Sequence, residues 1–166
     1  MDTTLVAIDS STSCSGIATY KNAILTNVSS IKSTDKIHSK CDDMCIKLAQ
    51  FLNKTKPHII VIETPSVVRN ANTQRALTMV YGVVYGWALA NNCEFNPMRP
   101  TEWRKWCGLN ALLENGNKNR KELKKMALEY AKQLFSQMTF DTEDSAEAAL
   151  LGFGYINWFQ EHVKRK

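Results

Sequence analysis

The first thirty residues alternate between short apolar runs and polar turns, a pattern that predicts three β-strands. We place these strands at Leu5–Asp9, Gly16–Tyr20 and about 24–29, with Asn22 in a hairpin turn between the last two. A fourth strand is expected at His58–Glu63, where a continuous apolar run is typical of a sheet covered on both faces. The pattern therefore predicts an N-terminal meander followed by a buried central strand.

The rest of the chain follows the helical period, with one more short strand at Cys93–Asn96 that we expect Pro97 to end. The predicted helices cover residues 42–54, 73–90, a short turn that begins at Pro100, 119–138, and 143–159. No repeat, low-complexity tract or linker interrupts this order. We therefore expect one α/β domain over residues 1–166.

The predicted helix 73–90 is apolar nearly all round, and a domain of this size has little room to bury every side of one helix. We favour a subunit interface over complete burial, because two glycines four residues apart allow a second helix to approach closely. The residues expected to face the partner subunit are Val80, Gly82, Val83, Gly86 and Trp87.

The net charge of +5 and the isoelectric point near 9.0 come from basic residues in the second half of the chain. The densest run, KNRKELKK, covers residues 118–125. This run suggests a polyanionic partner such as nucleic acid, although a solvated helix face explains a single run equally well.

Cysteine usage and the lack of signal-like or membrane-spanning runs predict a cytoplasmic protein with reduced thiols. His38, Cys41 and Cys45 could be considered zinc ligands. They lack the paired Cys-x-x-Cys spacing, so we favour free thiols on a helix face.

Acidic residues stand at three positions where burial makes a charge costly. Asp9 and Glu63 each end an apolar strand, and Asp144 and Glu147 share one face at the start of the last helix. Asp141 and Asp144 have the same spacing, so either pair could supply the third acidic position. An acidic helix cap would explain this last cluster alone, but the coincidence with two strand-end acids favours a shared site.

Carboxylates that converge in this way repel each other unless a cation lies between them. Oxygen ligands suit Mg²⁺, or Mn²⁺, and two such ions about 4 Å apart can activate water and stabilise the leaving oxygen of a phosphodiester. No Walker-type loop, G-x-S-x-G or H-E-x-x-H motif occurs, and we expect no nucleotide cofactor. The acids therefore predict a metal-dependent phosphodiesterase.

These motifs resemble the RuvC family of Holliday junction resolvases, within the ribonuclease H-like superfamily. The resemblance rests on Asp9 with Gly16 seven residues later, Glu63 at the end of the fourth strand, and D-x-x-[DE]-A from Asp144. It implies a ribonuclease H-like fold with a central mixed five-stranded sheet flanked by helices. It also implies a homodimeric endonuclease that nicks four-way and other branched DNA in pairs, with two Mg²⁺ ions per site.

The resemblance carries residue roles to matching positions of this chain. Asp9 would bind both metals, Glu63 one of them, and Asp144 with Glu147 would complete the catalytic site. The residues expected to contact DNA phosphates are Arg69, Lys118, Arg120, Lys121, Lys124 and Lys125.

The chain departs from the family pattern at three places, which indicates a divergent, phage-type member. Ser10 and Ser11 replace the usual Pro-Gly, and the loop 64–68 has no aromatic residue after the second acid. The final acid is Glu147 rather than the commoner aspartate, which leaves the choice between Asp141/Asp144 and Asp144/Glu147 open; we favour the latter pair, because small and apolar residues follow Glu147. Junction preference is therefore open. A related nuclease for branched DNA or RNA–DNA hybrids, and a catalytically silent junction-binding protein, stay as alternatives; an actin-like kinase is disfavoured because no second lobe is present.

Overall fold

The computed structural model describes residues 2–34, 39–65, 70–112 and 119–163, and these residues form a five-stranded sheet. The strands are β1 (Thr4–Asp9), β2 (Cys14–Lys21), β3 (Ile24–Lys32), β4 (Ile59–Glu63) and β5 (Glu94–Met98). Their spatial order is β3-β2-β1-β4-β5; β2 is antiparallel to β1 and β3, whereas β1, β4 and β5 run parallel. The predicted mixed five-stranded sheet is confirmed.

Five α-helices flank the sheet: α1 (Lys40–Thr55), α2 (Ala71–Ala90), α3 (Pro100–Trp106), α4 (Arg120–Leu134) and α5 (Glu143–Val163). A short 3₁₀ turn, Leu109–Leu112, follows α3. The fourth helix is shorter than predicted because Phe135 leaves the helical conformation, with φ −122° and ψ 57°. Among the described residues, no helix combines the length and apolar character needed to cross a membrane.

Strand β5 contains Pro97, the residue that the sequence predicts to end it. Pro97 pairs with Ile62 in the parallel register, and the strand continues to Met98. Proline has no N–H to donate. The Glu94 N–H bonds the His58 carbonyl, so by alternation the Pro97 nitrogen faces away from β4, on the open edge of the sheet, and no carbonyl is left unpaired. The strand therefore ends two residues later than the sequence suggests.

The sheet has an apolar core on each face, because successive residues of a strand point to opposite sides. Val6 and Ile8 of β1 pack with α1 and α2 on one face. Leu5 and Ala7 pack with α3, α4 and α5 on the other. Coverage of both faces explains why β1 and β4 are apolar without alternation.

Two glycines allow α5 to lie directly on the sheet. A Cβ atom at Gly152 would lie 2.4 Å from the Tyr20 ring and 3.1 Å from Ala7 Cβ. A Cβ at Gly16 in β2 would lie 1.8 Å from the Asp144 carbonyl oxygen. The Tyr20 hydroxyl also donates to the Ala149 carbonyl. These contacts fix the first turns of α5 beside β1 and β2.

Helix α2 buries one apolar stripe and leaves another exposed. Val80, Val84 and Ala88 are fully buried against the sheet. The prediction that Val80 faces a second subunit is therefore wrong, because this side chain belongs to the protomer's own core. Trp87 is half-buried and donates its indole N–H to Asn53. Outside this stripe, Val83 is half-buried, and the exposed residues include Met79, Gly82, Tyr85, Gly86 and Leu89.

Candidate metal centre

The candidate site lies at the edge of the sheet where the parallel strands β1 and β4 end. Ile8 pairs with Ile62, so the next residues, Asp9 and Glu63, emerge together at this edge. Gly16 pairs with Asp9 on the other side and leaves the space that the backbone of Asp144 occupies. The strand register and one glycine thus bring both strand ends and the first turn of α5 to one place.

Three carboxylates form the centre of the site. One oxygen from each of Asp9, Asp144 and Glu147 lies within 4.8 Å of the other two. Glu63 is outside this close group, although it is near enough to raise the pKa of Asp9. Asp141 is exposed and accepts a hydrogen bond from Ser30 at 2.9 Å. Of the two acidic pairs left open by the sequence, the structure brings Asp144 and Glu147 to Asp9.

Two acids of the site, Asp9 and Glu63, hold protons more tightly than isolated carboxyl groups. Burial raises the pKa of Asp9 well above its ordinary value of 3.8, and the charges of Glu147 and Glu63 raise it further. Burial also raises the pKa of Glu63, while a hydrogen bond from Trp103 opposes this shift. A divalent cation would favour the ionised forms, and hard carboxylate oxygens are the donors that Mg²⁺ and Mn²⁺ prefer. The residues present therefore fit such an ion.

Lys124 lies inside the acidic site rather than on an exposed phosphate-contacting face. Its ammonium group forms ion pairs with Asp144 and, at 3.3 Å, with Glu147. Burial alone would lower the pKa of Lys124, but these carboxylates outweigh burial and raise it. The lysine therefore supplies one positive charge to the cluster.

Helix α3 supplies two site residues that the sequence patterns did not identify. The buried Trp103 donates its indole N–H to Glu63 Oε2 at 2.6 Å. The Arg104 guanidinium lies 3.5 Å from Glu147 and 4.9 Å from the Trp103 ring centre. Strand β5 is parallel to β4, so α3, which follows β5, begins at the same edge of the sheet as Glu63. This order of elements was the signal in the sequence that could have placed α3 beside the acids.

The other predicted basic residues lie apart from the carboxylate cluster or cannot be located. Lys121 and Lys125 are exposed on α4. Arg120 is also exposed, yet it is near enough to Glu63 to lower the pKa of that carboxyl. Lys118 and Arg69 lie outside the described residues.

The cysteines of α1 pack against α2 as half-buried thiols. Cys41 Sγ contacts the Ala76 carbonyl oxygen at 3.4 Å, and Cys45 packs beside the same apolar core. Neither belongs to a metal-ligand cluster among the residues that the structure describes. His38 lies outside them.

Comparison with known proteins finds similar structures but no similar sequence. No family model matches the chain, and none of the curated proteins matches it. RuvC from Thermus thermophilus, solved in complex with Holliday junction substrate, aligns with a TM-score of 0.71 and 10% identity, over 95% of this chain and 96% of that one.

Two further solved structures show the same similarity. The yeast mitochondrial Holliday junction resolvase Ydc2 gives a TM-score of 0.64 and 17% identity, over 97% of this chain and 80% of that one. The fowlpox virus resolvase, solved with Holliday junction DNA, gives a TM-score of 0.65 and 14% identity, over 94% of this chain and 98% of that one. At such identities the similarity concerns the fold, and the chain accordingly has the RuvC-type, ribonuclease H-like fold of Holliday junction resolvases.

Proposed function

We propose that this protein is a metal-dependent, structure-selective DNA endonuclease that resolves four-way junctions by paired nicks. The observation that carries the proposal is the group formed by Asp9, Asp144 and Glu147, with oxygens within 4.8 Å of one another at the end of β1. A module that only binds DNA gains nothing from acids that repel phosphate. The fold adds support, because its structural neighbours include resolvases solved with junction DNA.

The four acids have distinct positions toward the metal ions. Asp9 interacts electrostatically with Glu63, Asp144 and Glu147, which favours it as the ligand shared by two ions. Asp144 and Glu147 would complete one ion site, and Glu63 would belong to the other. When bound, Mg²⁺ or Mn²⁺ would activate the attacking water and neutralise charge at the scissile phosphate. The carboxylates would orient the ions, while Lys124 and Arg104 neutralise part of the carboxylate charge when no ion is bound.

Basic residues beside the acids provide a path for DNA. Arg120 lies near Glu63, and the exposed Lys121 and Lys125 extend along α4 from that point. We infer that these side chains contact phosphates on either side of the scissile bond. Such contacts make binding strongly dependent on salt and largely independent of sequence.

Paired nicks require two active sites, and the exposed side of α2 is the surface we assign to dimerisation. Met79, Tyr85 and Leu89 expose 45–61% of their area, an unusual set for one helix of a small domain. At Gly82 and Gly86, apart from the local backbone of the helix, no atom lies within 4 Å of the place where a Cβ would stand, so a second helix could approach. A second copy of the chain would cover this face symmetrically.

A cleavage assay with Asp9→Asn tests the proposal. The substrates are a four-way junction, a Y-fork, a linear duplex and an RNA–DNA hybrid, each with Mg²⁺. We expect the wild type to cut the junction preferentially, and the variant to bind it without cutting. Asp141→Asn is the matched control, because it makes the same charge change at an acid outside the cluster.

The outcomes distinguish the rival functions. Preferential cutting of the hybrid or the fork would assign a different ribonuclease H-like nuclease. Junction binding with no cleavage of any substrate by the wild type would identify a silent binding protein. Retained cleavage by Asp9→Asn would reject the metal centre itself.

A further inference from the structure

We propose that Trp103 is a positioning residue for the metal centre: its indole N–H holds one oxygen of Glu63 and leaves the other to bind a metal ion. The inference rests on the proposed metal-dependent function and adds a residue to it. The hydrogen bond from Trp103 Nε1 to Glu63 Oε2 is 2.6 Å long, which is short for an N–H donor. It links α3 to the end of β4.

Trp103 is held rigidly by its surroundings. The residue is 0% exposed. Its carbonyl oxygen would lie 2.7 Å from a Cβ at Gly154, so α3 and α5 are in close backbone contact. Glu102 accepts a hydrogen bond from the Arg99 N–H and stabilises the first turn of α3. The indole therefore presents its N–H from a fixed place.

The chemistry of the pair favours an oriented Glu63. An indole N–H can only donate, and a buried one requires an acceptor. The Glu63 carboxylate supplies that acceptor, and the bond fixes the orientation of its side chain. Without the donor, Glu63 would be free to change rotamer.

Glu63 needs such support more than the other acids do. Asp144 and Glu147 are on one helix and lie close to Asp9, whereas Glu63 comes from a separate strand and stands outside their 4.8 Å group. Mutation of a residue that hydrogen-bonds to a metal ligand commonly lowers metal affinity by about 10–100-fold. We expect a similar effect here.

Calorimetric titration of the free protein with Mn²⁺ tests the proposal without measuring cleavage. Trp103→Phe keeps a buried ring but removes the donor, and we expect its Mn²⁺ dissociation constant at the Glu63-dependent site to rise by about tenfold. Trp106→Phe is the matched control. Trp106 lies on the same helix and packs against His162 rather than against the acids. Its affinity should stay within twofold of the wild type.

A double-mutant cycle separates positioning from a general structural effect. If Trp103 acts through Glu63, then Trp103→Phe should weaken Mn²⁺ binding in the wild type and change it less than twofold in Glu63→Ala. Equal weakening in both backgrounds would overturn the proposal, and so would unchanged binding in Trp103→Phe.

A second measurement does not depend on the stability of the Trp103 variant. The four tryptophans each give one indole ¹⁵N–¹H resonance in the labelled wild type. We expect one of these signals to shift in Glu63→Ala and to move during a Mg²⁺ titration of the wild type. If neither Glu63→Ala nor the Mg²⁺ titration shifts an indole signal, the inference is contradicted.

The same data distinguish failure of this inference from failure of the proposed function. Wild-type protein that binds no Mn²⁺ would contradict the metal-dependent function and the inference together. Normal Mn²⁺ binding by both wild type and Trp103→Phe would contradict the inference alone.

Discussion

The ammonium group of Lys124 forms an ion pair with the carboxylate of Asp144 inside the acidic site, and it also lies 3.3 Å from Glu147. A divalent cation held by these carboxylates would carry a like charge beside the ammonium group. The lysine would therefore compete with a bound cation for the same oxygens.

Replacement of Lys124 by Met should strengthen metal binding to the free protein. The variant removes a like charge beside the ion, and we expect a Mn²⁺ dissociation constant about tenfold lower, which corresponds to about 1.4 kcal/mol. Calorimetry measures this constant. Lys125→Met makes the same change in net charge at an exposed neighbour, and it should leave the affinity unchanged. Weaker binding in Lys124→Met would show that the lysine supports the ion instead.

The raised pKa of Asp9 predicts an unusual dependence of stability on pH. Burial and the charges of Glu147 and Glu63 make folded Asp9 bind its proton more tightly than the unfolded chain does. The metal-free protein should therefore lose stability as pH rises from about the ordinary value of 3.8 through the raised pKa. Asp9→Asn should remove this component.

Thermal unfolding at several pH values, with and without Mg²⁺, checks this expectation. At pH 7 without metal, Asp9→Asn should melt roughly 2–4 °C above the wild type. This shift corresponds to a gain of about 1 kcal/mol in the free energy of unfolding when the buried, repelled charge is removed. Mg²⁺ should stabilise the wild type and not the variant. A variant that melts below the wild type at pH 7 would contradict the assigned repulsion.

Gly16 should not tolerate even a methyl group. A Cβ there would lie 1.8 Å from the Asp144 carbonyl oxygen, and the obstacle is backbone that cannot rotate away. We expect Gly16→Ala to lower the free energy of unfolding by about 3 kcal/mol or more and to abolish cleavage. Gly82→Ala is the control for the monomeric protein, because open space surrounds that position within the protomer, and alanine there should raise the free energy of unfolding by about 0.5–1 kcal/mol. Denaturant unfolding measures both values.

Gly86→Glu should separate the proposed dimer without harming the protomer. Gly86 is exposed and open space surrounds its Cβ position, so glutamate fits the monomer and improves helix propensity. Light scattering should give the mass of a dimer for the wild type and of a monomer for the variant. Gly86→Ala, which adds a methyl group and no charge, should weaken the dimer less than Gly86→Glu does. A dimer that persists in Gly86→Glu would place the interface elsewhere.

The sequence was most informative where local pattern determines position. Asp9 and Glu63 could be predicted as neighbours because each ends an apolar strand, and parallel strands end at one edge. The spacing of Asp144 and Glu147 predicted a shared helix face, and α5 begins there. The small and apolar residues after Glu147 favoured that pair over Asp141 and Asp144, because they fit a packed helix. The alternative stayed open in the sequence, and the structure brings Asp144 and Glu147 to Asp9 where α5 approaches Gly16.

Other features depend on contacts between distant segments. Trp103 and Glu63 are 40 residues apart, and Lys124 and Asp144 are 20 apart, so no local period indicates either pair. The burial of Val80 depends on how α2 rotates against the sheet, and an all-apolar helix leaves that rotation undetermined. Pro97 is tolerated because β5 lies at an edge, which is a property of the whole sheet.

The separation of the acids along the chain has a consequence for the protein during synthesis. Asp9 and Glu63 are made early, whereas Asp144 and Glu147 are made much later, in α5. A chain that has not reached α5 therefore lacks two of the three clustered carboxylates, and α5 must also dock on β2 before the cluster forms. The proposed nuclease activity should arise only after α5 has docked, so neither ribosome-bound fragments that lack α5 nor misfolded chains would nick DNA.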